Sequence, residues 1–303
     1  MVSMPDIQKR FETLFHELDK VIVGQEEATE QVIIGLMTGS HVLLEGYPGL
    51  AKTLMIKSIG QALDLRFSRV QGTPDLLPSD ILGTYLIEES KSGKEFKFQP
   101  GPIFANIVLM DEINRASPKT QSALLEAMQE KQVTMGSSTY KLEEPFFVLA
   151  TQNPIEQEGT FKLPEAQADR FLFKVKLTYP TYEQEHEILN RYGESDGVTA
   201  IKKVFSKDML ADVQKYAKQV PIAKDMQKYV LDIVSKTRTR KDLIEYGASP
   251  RASLGIVLAS KARALLYGRK YVSKEDIQAV AFPVLRHRII LNFEAERKGM
   301  NED

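Results

Sequence analysis

The chain contains no cysteine. That excludes disulfides, thiolate metal sites and a cysteine nucleophile, and it suits a reducing compartment. It also lacks an excess of either charge: 40 lysines and arginines stand against 41 aspartates and glutamates. A chain built to coat nucleic acid or an anionic membrane would be lopsided. No run of about 18 apolar residues occurs, so no transmembrane helix is expected. Met1 to Arg10 mixes Pro5, Asp6, Lys9 and Arg10 without an apolar stretch, so no secretory signal is expected, and the expected location is cytoplasmic. The histidines, His16, His41, His186 and His287, are few and scattered. Without an i,i+4 pair they do not suggest a protein-built transition-metal site. Internal repeats and low-complexity tracts are also missing.

What is present is a 303-residue chain, 43% hydrophobic, long enough for two domains with their own cores. Phe11, Leu14, Phe15 and Leu18 recur at helical spacing and predict a helix over about 6–20, with a second over 26–37 carrying Ala28, Val32 and Leu36. Strands are predicted at His41–Glu45, Arg66–Val70, Asn106–Met110, Phe146–Ala150 and Leu172–Val175. His41–Glu45, Asn106–Met110 and Phe146–Ala150 are apolar runs that suit strands covered on both faces. Residues 71–105 read as a long irregular region containing a hairpin, Thr84–Glu89 with Glu95–Phe98. A second hairpin is predicted from Val133–Met135 and Tyr140–Leu142. Ser117-Pro118 reads as N-cap and first residue of a helix to Glu130. Beyond Tyr179-Pro180-Thr181 strands vanish and helical periodicity takes over. Thr181 with Gln184 forms a capping-box pattern. Ser249-Pro250 starts a helix with Leu254, Val257, Leu258, Ala262 and Leu265 inward and Gly268 as its stop, and Ser273 with Asp276 starts the last long helix. Phe11, Phe15 and Phe293 read as core. The basic run Lys236, Arg238, Arg240, Lys241 reads as a cationic helix C-terminus, favoured by the dipole.

Four features carry chemistry. The first is Gly46-Tyr47-Pro48-Gly49-Leu50-Ala51-Lys52-Thr53-Leu54, set between a predicted strand and a predicted helix. Phosphate needs many donors at short range, which a tight loop and a helix N-terminus supply. Lys52 places a point charge on the β- and γ-phosphates and Thr53 offers a hydroxyl to magnesium. The general template has Gly where Ala51 stands; Ala is small enough to preserve phosphate approach. The second is Asp111-Glu112 at the end of an apolar strand. Two carboxylates there need a cation or a water to act on: Asp111 to hold magnesium, Glu112 to orient and polarise the attacking water. The third is Asn153 in Ala150-Thr151-Gln152-Asn153-Pro154, either a hydrogen-bond donor to the γ-phosphate or attacking water, or simply an Asn-Pro turn. The fourth is a set of arginines, Arg115, Arg170 and Arg251, since a placed guanidinium stabilises the charge of phosphoryl transfer. Met135 and Tyr140, near a hairpin tip, are either client contacts or a local cluster.

Together these segments, with Gly101-Pro102-Ile103-Phe104, Asp111-Glu112-Ile113-Asn114-Arg115-Ala116 and Leu163-Pro164-Glu165-Ala166-Gln167-Ala168-Asp169-Arg170-Phe171, resemble the AAA+ ATPases and, among them, the MoxR family, in which the Ala51 variant is usual. The resemblance covers essentially the whole chain. It implies a three-layer α/β/α parallel-sheet P-loop domain (residues 1–180, with a helix-2 insert about 72–105 and a pre-sensor-1 hairpin about 132–143), then an all-helical lid (181–303). It implies Walker A residues Lys52 and Thr53, Walker B residues Asp111 and Glu112, sensor 1 at Asn153, an arginine finger at Arg170 acting on the neighbouring subunit's ATP, and sensor 2 at Arg251, reaching from the lid to the γ-phosphate. Val21 to Gly24, including Val23, resembles the adenine-side segment. The implied activity is magnesium-dependent ATP hydrolysis by a ring, often a hexamer, acting chaperone-like on protein partners that often carry von Willebrand factor A domains. A DNA-associated helicase or loader ATPase is the alternative, since the same hairpins occur there; the near-neutral charge speaks against it. An ATP-binding scaffold that does not hydrolyse is opposed by Glu112 and Arg170.

Overall fold

A computed structural model of the protein describes residues 4–90, 93–155, 159–193 and 200–303. Its centre is a sheet of five parallel strands: β1 Val42–Glu45, β2 Phe67–Gln71, β3 Ile107–Asp111, β4 Phe147–Gln152 and β5 Phe173–Lys176, in the spatial order β2-β3-β4-β1-β5. Successive side chains of a strand point to opposite faces, and each predicted apolar run divides accordingly. Val42, Leu44, Ile107, Leu109, Phe147, Leu149, Phe173 and Val175 join one buried cluster, beneath helices Met4–Asp19, Glu26–Thr38 and Lys52–Ala62. Leu43, Val108, Met110, Val148 and Ala150 join the other, beneath helix Pro118–Glu130. The three-layer α/β/α arrangement follows from this division.

Beyond β5 come helices Tyr182–Tyr192, Lys207–Gln219, Lys224–Thr239, Pro250–Leu266, Lys274–Leu285 and the short Phe293–Arg297. The predicted caps are in place. The Ser117 hydroxyl accepts from the Thr120 N–H, and Thr181–Gln184 and Ser273–Asp276 form reciprocal capping boxes. The lid shares its buried cluster with one face of the sheet through Glu26–Thr38, which packs against both Lys207–Gln219 and Pro250–Leu266.

Four expectations need correction. Residues 71–105 are more regular than they read: they hold helix Pro78–Leu82, a longer hairpin with arms Gly83–Ser90 and Gly93–Pro100, and a 3-10 turn at Pro102–Phe104. These are too short to show a period. The lid is helical except for an antiparallel ribbon, Ile244–Tyr246 with Ile290–Leu291, also too short to signal itself. In helix Pro250–Leu266 the inward face is Ala252, Gly255, Ile256, Ala259, Ala262 and Leu265, while Leu254 is 71% exposed. The helix is apolar nearly all round, so periodicity names no unique face, and the close approach selects the small residues: a Cβ on Gly255 would meet Leu172 at 3.2 Å. Phe293, expected in the core, is 78% exposed. Tyr140 belongs to a local cluster. It stacks on Phe98 with centroids 4.1 Å apart, and its hydroxyl lies 3.1 Å from that of Tyr85, so it joins the two hairpins.

His41 makes a testable contribution to stability. It is buried, its Nδ1 accepts from the Val148 N–H at 3.0 Å, and its Nε2 lies 3.2 Å from the Met128 carbonyl. Those partners require the neutral ring protonated on Nε2. Burial pushes its pKa from 6.5 down to about 4. A depressed base contributes stability that is fully present above its unfolded pKa and lost as pH falls from about 6.5 towards 4. The protein is expected to be about 2 kcal/mol less stable near pH 5 than near pH 7.5 from this residue alone. Urea unfolding at both values, compared with His41→Gln, checks it. The difference should shrink by about that amount, and an unchanged difference assigns the acid sensitivity elsewhere.

Candidate nucleotide site

Parallel strands end at one edge of a sheet, and ligands of open α/β sheets bind where the following loops converge. Here the loops after β1, β3 and β4 meet. The register pairs Glu45 of β1 with Gln152 of β4, and Gln71 of β2 with Asp111 of β3. The Gly46 N–H donates to the Gln152 carbonyl at 3.3 Å.

The phosphate loop runs from Gly46 to the start of helix Lys52–Ala62. A Cβ on Gly46 would meet Leu177 at 2.8 Å, so the loop packs closely against the chain leaving β5. Gly49 has φ +84° and open space around its would-be Cβ: a cradle without side chains. Ala51 is the N-cap residue and sits at φ 54°, ψ 23°, left-handed. A glycine occupies that conformation freely, whereas alanine gives up on the order of 1 kcal/mol, which accounts for the glycine of the general template. No side chain caps this helix. A helix N-terminus without a side-chain cap is where an anion is received. Lys52 Nζ donates to the Gly46 carbonyl at 2.8 Å, folding back over the loop.

The acidic pair is built on a buried joint. Thr151, fully buried on β4, donates from Oγ1 to Asp111 Oδ1 at 2.6 Å and accepts the Glu112 N–H at 2.9 Å. Arg69 on β2 donates to Asp111 Oδ2 at 2.6 Å. Glu112 itself is left-handed, at φ 55°, ψ 52°, a strained conformation of the kind concentrated at functional sites, costing about 1–3 kcal/mol. Gly72 makes it possible: a Cβ there would meet the Glu112 carbonyl at 2.2 Å. The Glu112 carboxylate accepts from Gln71 Nε2 at 2.8 Å and Arg115 Nη1 at 3.3 Å. Arg115 therefore orients Glu112. Asn153 is buried; its Oδ1 accepts the Ile155 N–H at 3.3 Å, and its Nδ2 has no acceptor among the described residues. Asn153 closes a turn and keeps a buried donor without an acceptor among the described residues, which buried polar groups rarely do.

Val23-Gly24 precedes Gln25, which is tied to the chain leaving β5, as is Tyr47 of the phosphate loop. Gly24 is at φ +71° with the Gln184 side chain against it. Gln25 Nε2 donates to the Thr178 carbonyl at 2.9 Å, and Tyr47 of the phosphate loop stacks on Tyr179 at 5.0 Å. In the sequence Tyr179 marks only a boundary and Gln184 only a helix cap, and Thr178 shows no motif.

The two remaining arginines stand elsewhere. Leu172 N–H donates to the His41 carbonyl at 2.8 Å, so the turn carrying Asp169-Arg170 lies where β1 and β5 begin. That is the opposite edge of the sheet from Gly46, a strand length of roughly 10 Å or more away. Arg170 Nη1 donates to the Leu125 carbonyl at 2.9 Å. Arg251, first in its helix after Pro250, reaches Asp169 Oδ2 at 3.3 Å and shares a cleft with Arg170. Within one chain, neither stands beside the phosphate loop. Through its pairing with Asp169, Arg251 anchors the lid at the far edge of the sheet. The signal that would have found this is the pairing of Asp169 with Arg251 and Arg288, residues far apart in sequence.

Among the described residues no cluster of three or more histidines, aspartates or glutamates could hold a metal, and no helix is long and apolar enough to cross a membrane. Magnesium nevertheless fits. It is bound by one or two protein oxygens together with phosphates rather than by an all-protein cage, and Thr53 and Asp111 are the residues the sequence offers for that role.

Residues 41–173 match the family model of the ATPase family associated with various cellular activities, and residues 236–303 match the AAA lid domain. The chain is 44% identical to chaperone MoxR1 of Mycobacterium tuberculosis over 94% of its length and 76% of that protein's. It is 41% identical to the uncharacterized protein YeaC of Bacillus subtilis, over all of this chain and 94% of that one. A crystal structure of a Cytophaga hutchinsonii protein, described as a candidate ATPase, superposes with a TM-score of 0.91 at 44% identity, covering 98% of this chain and 92% of that one. With the phosphate loop, the Asp111–Glu112 joint and the lid in place, the chain belongs to the MoxR family of AAA+ ATPases.

Proposed function

We propose that the protein hydrolyses ATP, with magnesium, as a ring homo-oligomer, a hexamer being the family expectation, and uses the cycle to remodel, mature or activate protein partners. The observation that carries the reading is the placement of Arg170 and Arg251 together at the sheet edge opposite the phosphate loop, where only a second copy's nucleotide could use them. The name of the Mycobacterium tuberculosis relative supports the chaperone-like part. The DNA-associated alternative gains nothing from these relatives. Partners with von Willebrand factor A domains remain part of the proposal. So does the division near residue 180 into nucleotide unit and lid, and a cytoplasmic site of action.

In this reading Lys52 and the uncapped N–H groups of its helix hold the β- and γ-phosphates. Val23, Gly24 and Tyr47 border the base. Thr53 and Asp111 would hold magnesium, whose charge would offset that of the phosphates. Thr151 fixes Asp111 and Glu112 relative to each other. Glu112 orients the attacking water and takes its proton, Asn153 donates to the water or the γ-phosphate, and Arg170 and Arg251 of the adjoining subunit stabilise charge on the transferring group. The exposed pair Ile87 and Phe96, opposite each other on the long hairpin, offers a partner apolar surface. The test is magnesium-dependent ATP turnover over a wide protein concentration range. Turnover per chain should rise with concentration, together with the oligomer seen by light scattering. Turnover indifferent to concentration in a monomeric sample would sink the ring.

A further inference from the structure

Arg288 follows the last long helix of the lid, and its guanidinium is almost fully buried, the side chain only 4% exposed. An arginine carries five N–H donors, and here every one has an acceptor. Nε donates to Asp169 Oδ1 at 2.7 Å. Nη1 donates to the Leu172 carbonyl at 3.0 Å and the Val284 carbonyl at 2.5 Å. Nη2 donates to the Asp169 carbonyl at 3.1 Å and the Phe171 carbonyl at 2.6 Å. Four of the five bonds fall on residues 169–172, the turn from which Arg170 projects. The same Asp169 carboxylate accepts from Ser249 Oγ at 3.2 Å and Arg251 Nη1 at 3.3 Å, and Ser249 Oγ caps the helix by accepting the Arg251 N–H at 3.2 Å. One buried ion pair therefore ties together the turn holding Arg170 and the helix start holding Arg251, although 81 residues separate the two arginines in the sequence.

From this geometry we infer that Arg288 and Asp169 are a positioning pair, which presents Arg170 and Arg251 as a single rigid unit to the neighbouring subunit's nucleotide. The inference rests on the between-subunit reading above. Neither residue touches the reacting atoms. Their role is to remove freedom from two long side chains, since a displacement of about 1 Å in such a group costs about 100-fold in rate. A lysine at position 288 keeps the charge but has three donors from one point and cannot span Asp169, Phe171, Leu172 and Val284 together.

A mixing experiment with full-length chains tests it. One chain, Lys52→Ala, has a disabled pocket and intact arginines. The other, Arg170→Ala with Arg251→Ala, has an intact pocket and no arginines to offer. The mixture should turn over ATP at pockets flanked by the first chain. Arg288→Lys is then added to one chain or the other. In the arginine-donating chain it should lower the mixture's kcat about 100-fold. In the pocket-donating chain, where no arginine remains to be positioned, it should change kcat less than about twofold. Asp169→Asn, which preserves shape, should show the same asymmetry. Equal losses in both placements would make Arg288 a residue of general folding, and equal retention would mean the arginines are held without it; either overturns the inference. No turnover in the parent mixture would instead remove the between-subunit site, and the inference with it.

Discussion

Glu112→Gln is expected to lower ATP turnover by about 1,000-fold while leaving ATP bound. Glutamine has nearly the size of glutamate, and its oxygen can still accept from Gln71 and Arg115, the two donors that hold the Glu112 carboxylate. The left-handed backbone at this position and its close approach to Gly72 involve main-chain atoms only. Fold and phosphate loop are thus spared. What disappears is the carboxylate's capacity to take a proton from the attacking water, and general base catalysis contributes typically 10²–10⁴-fold. Steady-state turnover and equilibrium binding of a fluorescent ATP analogue, measured on the same sample, separate the two effects. Turnover within a few-fold of the parent would remove Glu112 from the reaction. Loss of binding along with turnover would make it part of the pocket instead.

Arg170→Ala is expected to be nearly as damaging, on the order of 1,000-fold, the lower end of what an arginine finger contributes. Its distinctive property is that the loss should be repairable from outside. The Arg170→Ala chain keeps its phosphate loop, its Asp111–Thr151–Glu112 joint and Asn153, all at the far edge of the sheet. The Glu112→Gln chain keeps its arginines. Each alone is expected to be inactive, and their mixture should regain a substantial fraction of parental turnover, because some pockets then meet an intact arginine from the adjoining chain. Arg170 is itself exposed, although its bond to the Leu125 carbonyl is part-buried, so its removal leaves no buried charge and should barely shift thermal unfolding. A mixture as inactive as its parts, in a sample that still assembles, would place Arg170 outside the site.

How far the site was legible depended on distance along the chain. The phosphate loop is a contiguous segment whose chemistry is written in adjacent residues. Asp111-Glu112 could be read because an apolar run ends in two carboxylates. The strand that carries them was placed correctly to within a residue, as was the helix begun by Ser117-Pro118, for the same reason: caps and apolar runs act over three to five residues. Thr151 lay inside a quoted segment yet had no assigned role. Its importance comes from the register that sets β4 beside β3, which no local pattern encodes. Arg69 and Gln71 were silent because any residue ending β2 reads alike until β3 is known to lie against it. Asp169 and Arg288 were silent because the ion pair between them spans 119 residues. The inward face of helix Pro250–Leu266 was misread because apolar residues surround it, and only the contact with Leu172 and Val284 chooses among them.

By itself, then, the sequence determined the inventory: a glycine-bearing turn between strand and helix, an acidic pair at a strand end, an Asn at another, a set of arginines, and the order of strands and helices bearing them. Each of these depends on interactions between near neighbours, such as apolar periodicity, caps, turns and the donor needs of phosphate. Tertiary structure alone decided which of these residues share a site. Parallel pairing carries Gly46, Asp111, Glu112 and Asn153 to one edge of the sheet, while the lid, docked through Asp169, Arg251 and Arg288, holds Arg170 and Arg251 at the other. That separation arises from strand register and buried long-range pairing, quantities that belong to the packed molecule and to no segment of it.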